Sequence, residues 1–443
     1  MIDHCAGPAT HSWEPILADS VAERAADSVR EVAEALTCEE WDPRRVGPGI
    51  AGGNMGLAIF YDEAFRALRE QQYEQSREAR WNAAVDQLAS DTTIPHLFAG
   101  YCGVGWGTHF LGSRTPAESG EEDPDSDSVH EELEEALLQD LEEMREPANF
   151  DLIGGAVGWG LYSLERWPHP RAHRALERIV DFLERSAEST RDGIRWWTAP
   201  HLLPPWQREM YPAGYHNLGL AHGMPAIWVL LSQAIERGVR TDVAQRLLEG
   251  SVRWVLSKKI DAGTGSWFPS MVAEGHAARP SRLAWCYGDL GIAAALFVTA
   301  RCADRDDWEA EAVAIARNAA GTSFEQSRVQ DAGLCHGAAG VGHVFNRMYQ
   351  ATGDESCLEA ARFWLTRALE MRLVSGGVAG YASRRTEGDR PDGPWIWVPR
   401  PGILEGAAGV ALGLLAGFTP SEPTWDRFLF LSPVPLPASS SSG

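Results

Sequence analysis

Three side chains in this 443-residue chain could hold a metal ion: Cys286 and the adjacent pair Cys335-His336. Two thiolates and one imidazole are donors that favour Zn²⁺. Three protein ligands leave a fourth tetrahedral position open, the pattern of a catalytic rather than a structural zinc site. Neighbours such as Cys335 and His336 reach one ion only where the backbone changes direction, as at the mouth of a helix, where the helix N-terminus also lowers a thiol pKa. The competing reading is that these are ordinary buried cysteines.

The register of these residues favours the metal. A motif of the form Gly-x-x-(Gly/Ala)-apolar-small or Trp occurs seven times, with first glycines at Gly53, Gly100, Gly155, Gly223, Gly288, Gly337 and Gly406. Aligned on that glycine, the two preceding residues are Ala51-Gly52, Phe98-Ala99, Ile153-Gly154 and Leu404-Glu405 in copies one, two, three and seven. In copies four, five and six they are Ala221-His222, Cys286-Tyr287 and Cys335-His336, so the metal-competent groups gather in consecutive repeats. Asp151 stands four places before the glycine of copy three, near the same rim.

A recurring period of this size implies a repeat architecture. Each glycine pair leads into an apolar, mostly small run such as Ile292–Ala300 or Val410–Phe418. Glycine costs roughly 1 kcal/mol inside a helix relative to alanine, a cost offset where small residues let backbones approach closely. Between the motifs lie amphipathic segments, for example His173–Ala187 with Leu176, Ile179, Val180 and Leu183 at helical spacing. Each repeat therefore reads as an amphipathic outer helix followed by a Gly-rich inner helix. Inner helices that are apolar all round require burial on every side. An all-α (α/α)7 toroid of seven helical hairpins meets that requirement, with an open solenoid as the alternative. Residues 1–432 are expected to form one toroid domain. The acid-rich stretch 113–146 is expected as an insertion, loop to Ser128 and then a solvated helix from Val129. Residues 433–443 are expected as a flexible tail without core-forming residues.

Composition narrows the function classes. A net charge of −23 with 39 Lys plus Arg argues against nucleic-acid binding. Seven cysteines, an odd count, suit free thiols in a reducing cytoplasm better than a disulfide framework. No signal-peptide pattern opens the chain, and its longest apolar runs are broken by Asp289 or Glu405 and by glycines, so no transmembrane segment is expected.

The strings Ala284-Trp-Cys-Tyr-Gly-Asp-Leu-Gly291, Leu334-Cys-His-Gly337 and Leu220-Ala-His-Gly-Met-Pro225 resemble the signatures of the lanthionine synthetase C-like family, the lanthipeptide cyclases. With the seven motifs the resemblance runs from about Pro48 to Phe418, and the closing Trp425–Ser432 also looks like the family's C-terminal end. The length suits a stand-alone cyclase. The resemblance implies intramolecular addition of peptide cysteine thiolates to dehydroalanine or dehydrobutyrine, closing lanthionine or methyllanthionine thioether rings. Its substrate would be a dehydrated precursor peptide, its partner a dehydratase and its cofactor Zn²⁺.

That chemistry needs a thiol activator, an acid for the enolate and a group on the carbonyl oxygen. The resemblance makes Cys286, Cys335 and His336 the zinc ligands and His222 the acid/base group. Asp151 would orient His222 or help remove the thiol proton, Arg282 would face the carbonyl or enolate, and Tyr287 would follow the zinc cysteine. The plainer readings are a core histidine, a helix N-cap, a surface arginine and a packing tyrosine. Asp289, Glu405 and Cys102 have no required role, and His109, His216 and His343 read as structural. Trp196-Trp197, Trp267-Phe268 and Trp395-Ile-Trp397 would wall a peptide groove or pack loops. Two other functions compete: a non-cyclising zinc relative that binds glutathione or dehydroamino-acid peptides, and an (α/α) glycosidase using rim carboxylates.

Overall fold

The computed structural model describes residues 13–90, 94–114, 124–260, 265–390 and 392–436. Sixteen α-helices occur among these residues. Seven carry the glycine motifs and form the inner ring: α2 (Asn54–Leu68), α4 (Tyr101–Gly112), α6 (Ala156–Glu165), α9 (Met224–Glu236), α11 (Asp289–Cys302), α14 (Ala338–Thr352) and α16 (Ala407–Phe418). Each touches the next, and α16 returns to α2, so the ring closes. An outer ring consists of α1 (Asp19–Ala35), α3 (Gln71–Ser90), α5 (Pro124–Glu143), α7 (Pro170–Ser186), α10 (Thr241–Leu256), α12 (Asp306–Ala320) and α15 (Glu355–Glu370). The short helices α8 (Pro205–Met210) and α13 (Phe324–Ser327) lie in connections. The protein is an (α/α)7 toroid.

The pairing within hairpins runs opposite to the expected order. Each inner helix packs on the outer helix that follows it, as in α2 with α3 and α14 with α15. The reason is loop length. Only Arg69 and Glu70 separate α2 from α3, and only Gly353 and Asp354 separate α14 from α15. The first outer helix, α1, is left over and packs on α16. There the Ile16 and Leu17 N–H groups both donate to the Gly417 carbonyl (2.8 and 2.9 Å), closing the ring with the two ends of the chain.

Two further expectations change. The acid-rich stretch is already helical at Pro124, and α5 is no solvated excursion. His130, Glu134, Leu137 and Leu138 are buried, and the helix packs on α7 and α4 as the outer member of its repeat. The start of the expected loop, residues 118–123, lies outside the described residues. The tail also begins docked. Val434 is buried, its N–H donates to Gln233 Oε1 (2.7 Å) and its carbonyl accepts from Arg237 Nη2 (2.9 Å). Residues 437–443 lie outside the description.

The glycine motif has a more local cause than contact between inner helices. No side chain caps the inner helices. Instead the preceding loop folds over the helix start, and the unpaired first-turn N–H groups donate to its carbonyls: Ala338, Ala339 and Gly340 to Asp331, Ala332 and Gly333 (2.9, 3.1 and 3.3 Å). A Cβ on the motif's second glycine would strike that loop; at Gly340 it would meet the Leu334 carbonyl oxygen.

The C-terminal segment fills the middle of the toroid. Phe428 is fully buried, with its ring centroid 5.7 Å from those of Phe98 and Trp106. Trp285, next to Cys286, donates its indole N–H to the Leu429 carbonyl (2.9 Å). Asp426 accepts from His343 Nε2 (2.8 Å) and Arg347 Nε (2.6 Å). The middle of the ring is therefore packed with side chains at this level.

Candidate metal centre

The rim is stitched by a closed circle of backbone hydrogen bonds. N–H groups donate from Ala51 to Phe98, Phe98 to Ile153, Leu152 to Ala221, Ala221 to Cys286, Cys286 to Cys335, Cys335 to Leu404 and Leu404 to Ala51, at 2.8 to 3.3 Å. Every acceptor stands two places before its motif glycine. The register read from the sequence is thus a physical ring, and its bonds link the backbones that carry Cys286 and Cys335.

One atom each from Cys286, Cys335 and His336 (two sulfurs and a ring nitrogen) lie within 4.8 Å of one another. The donor set fits zinc. His336 Nδ1 is buried and meets no hydrogen-bond partner among the described residues, an orphan that a bound cation would satisfy. Cys286 is held well below the ordinary thiol range by the Cys335 thiol beside it and, against the cost of burial, by Arg282. Cys335 shifts the opposite way, raised by that same neighbour and by burial. Arg282 Nη2 stands 3.9 Å from Cys286 Sγ, so this arginine is deep in the site and not on the surface. The turn after Cys286-Tyr287 needs its glycine: Gly288 has φ +85°, and a Cβ there would meet the Arg282 carbonyl.

His222 and Asp151 meet across two repeats, with Nδ1 2.6 Å from Oδ2. The aspartate does two jobs. Its Oδ1 accepts the Gly154 and Gly155 N–H groups (2.9 and 3.0 Å), fixing the start of α6, while Oδ2 holds the imidazole. Burial acts to lower the His222 pKa, but the Asp151 carboxylate outweighs it and the net shift is upward. Burial acts to raise Asp151, and the His222 charge and hydrogen bond together with the Gly154 N–H bring it below the ordinary carboxylate value. His222 keeps 44% of its side-chain surface open, so the imidazole is reachable from the rim. The Tyr287 ring lies 6.3 Å from the His222 ring, and its hydroxyl accepts from Asn217 Nδ2 (3.2 Å).

Other singled-out residues fall elsewhere. Asp289 is a buried anchor that accepts from the Trp267 and Phe268 N–H groups, Ser266 Oγ and Asn318 Nδ2. Glu405 pairs with Arg385 at 3.6 Å. Cys102 is buried in α4. His216 Nδ1 bonds the Trp196 carbonyl (2.9 Å), His109 Nδ1 lies 3.5 Å from Arg166, and His343 is buried against Asp426. Trp196 and Phe268 are buried, whereas Trp395, Ile396 and Trp397 are exposed. Two residues at the site were not singled out. His96 stands four before Gly100, as Asp151 does before Gly155, and its ring packs against Gly154; the same register would have found it. Asn217, which positions Tyr287, has no such signal.

Comparisons with known proteins bear on the fold and the family. Among solved structures, nisin cyclase shares the fold at a TM-score of 0.70 and 17% identity, over 93% of this chain and 97% of that one. A cellobiose 2-epimerase from Bacillus thermoamylovorans B4167 aligns at a TM-score of 0.43 and 10% identity, over 89% and 98% of the two chains. An unsaturated glucuronyl hydrolase from Streptococcus agalactiae aligns at 0.45 and 9%, over 94% and 98%. The family described as lanthionine synthetase C-like protein matches residues 46–430, which span the whole inner ring and every residue of the centre. The chain belongs to the lanthionine synthetase C-like family.

Proposed function

We propose that this protein is a zinc-dependent lanthipeptide cyclase acting on a dehydrated precursor peptide in the cytoplasm, beside a dehydratase. The observation that carries the reading is the pairing, at one rim, of the Cys286–Cys335–His336 donor set with the His222–Asp151 dyad. Zinc held by those three ligands would supply Lewis acidity that favours the thiolate form of a peptide cysteine.

The chain's own residues account for the rest. Asp151 fixes the orientation of His222 and favours its protonated form. Addition of sulfur to the β-carbon of a dehydroamino acid moves charge onto the carbonyl oxygen and leaves an enolate. Protonated His222 delivers a proton to the α-carbon, completing the thioether ring. Arg282, already 3.9 Å from Cys286 Sγ, steadies that ligand's charge and adds positive potential where the enolate forms. Tyr287, pinned by Asn217, walls the cavity beside His222. The filled pore keeps the peptide on the rim side.

Metal analysis together with a dehydrated, cysteine-containing peptide tests the reading. Zinc near one equivalent with loss of free thiol and no change in peptide mass supports the cyclase. Zinc without ring closure supports a non-cyclising zinc protein, and absence of zinc overturns the assignment.

A further inference from the structure

The antiparallel hairpin of β5 (Ser383–Thr386) and β6 (Trp395–Val398), preceded in the chain by β1 (Ala187–Thr190), β2 (Gly193–Trp196), β3 (His216–Asn217) and β4 (Met271–Val272), is unusual in its exposure. Trp395, Ile396 and Trp397 are 54, 37 and 45% exposed, so this apolar strand buries neither face. Trp395 and Trp397, two apart, share a face with Arg384 of the partner strand. The Arg384 guanidinium lies over both rings, 5.0 and 5.8 Å from their centroids. Arg385, on the opposite face, pairs with Glu405.

The hairpin is tied to the metal loop. Asp331 Oδ2 accepts the Arg384 N–H (3.0 Å), and its Oδ1 accepts the Gly333 N–H (3.1 Å), two residues before Cys335. The Leu404 carbonyl next to Glu405 accepts the Cys335 N–H (2.8 Å). In a chain of net charge −23, Arg384, held over the two indoles, has no carboxylate partner among the described residues.

We infer that the Trp395–Trp397 face of this hairpin, with Arg384, docks an extended segment of the substrate peptide that carries carboxylates between apolar side chains. The inference rests on the peptide-substrate reading above. Indoles supply flat apolar area at low entropic cost, and guanidiniums held on them recognise carboxylates. An exposed Trp-Arg surface also suits an anionic membrane. The tie to the Cys335 loop favours the peptide.

The test is fluorescence anisotropy on the zinc-loaded full chain. The probes are a fluorescein-labelled peptide of alternating glutamate and leucine, its lysine–leucine counterpart, and phosphatidylglycerol vesicles. The unaltered protein should bind the acidic peptide and not the basic one. The single variant Arg384→Ala and the double variant Trp395→Ala/Trp397→Ala should each weaken binding about tenfold, with zinc content and Tm unchanged. Absence of binding by the unaltered protein, equal binding by the variants, or binding of vesicles in place of the peptide each overturns the inference. Ring closure is scored separately. Hairpin-dependent binding without cyclisation sinks the cyclase reading alone; cyclisation with hairpin-independent binding sinks the docking surface alone.

Discussion

Among the described residues are two His–Asp pairs of nearly identical length, one at the rim and one at a floor where α14 meets the C-terminal segment. At the rim His222 lies 2.6 Å from Asp151, and at the floor His343 lies 2.8 Å from Asp426. The floor pair is fully buried, and the Arg347 guanidinium also pairs with Asp426. Among the described residues no arginine meets the rim carboxylate; backbone N–H groups fill that role, and the imidazole stays partly exposed. The short bond alone therefore identifies nothing. Exposure, and soft side chains one repeat away, separate the proposed proton donor from a strut.

The largest effect in this comparison belongs to the metal. Cys335→Ala should lose the bound zinc, read by metal analysis, and slow ring closure by at least about a hundredfold. Retained zinc with full turnover would break the account. The two histidines should then dissociate cleanly. His222→Asn should keep zinc and Tm but slow cyclisation roughly 10²–10⁴-fold. His343→Asn should keep turnover per folded molecule but cost about 1–3 kcal/mol in denaturant unfolding, because a buried partner is lost. Equal behaviour of the two variants would erase the distinction drawn between the pairs.

Smaller effects concern pH. The carboxylate of Asp151 raises the His222 pKa, so the protonated donor survives above the ordinary histidine value and activity falls as pH rises through the raised one. Asp151→Asn removes the cause, and the alkaline limb of the rate profile should move to lower pH. At the floor, burial acts to raise Asp426, but Arg347 and His343 hold it down at about 2. Its contribution to stability is complete above the ordinary carboxylate value of about 3.9 and is lost as pH falls through about 2. Acid should therefore loosen the central plug, read as exposure of Trp425 and Trp285 fluorescence, and a variant lacking the pair, already weaker at neutral pH, should lose this step of the pH dependence.

The rim was legible in the sequence because its cause is local. A loop folded over its own helix start demands glycine at fixed spacing, so the register of Cys286, Cys335, His336 and His222 survives in one dimension. The plug was not legible. Its contacts join Trp285 to Leu429 and Phe98 to Phe428, across long stretches of chain with no shared spacing. The acid-rich composition of α5 likewise hid a buried face that only α4 and α7 define. The dual use of Asp151 was half legible: either role could be proposed from its place before Gly155, but not that its two oxygens divide them.

The most direct test of the central claim is zinc-edge X-ray absorption on the purified chain. The account predicts one zinc environment with two sulfur neighbours, one imidazole and a lighter, exchangeable fourth ligand, all lost in Cys286→Ala. A shell of four protein ligands, or zinc whose sulfur signal survives that substitution, would contradict it.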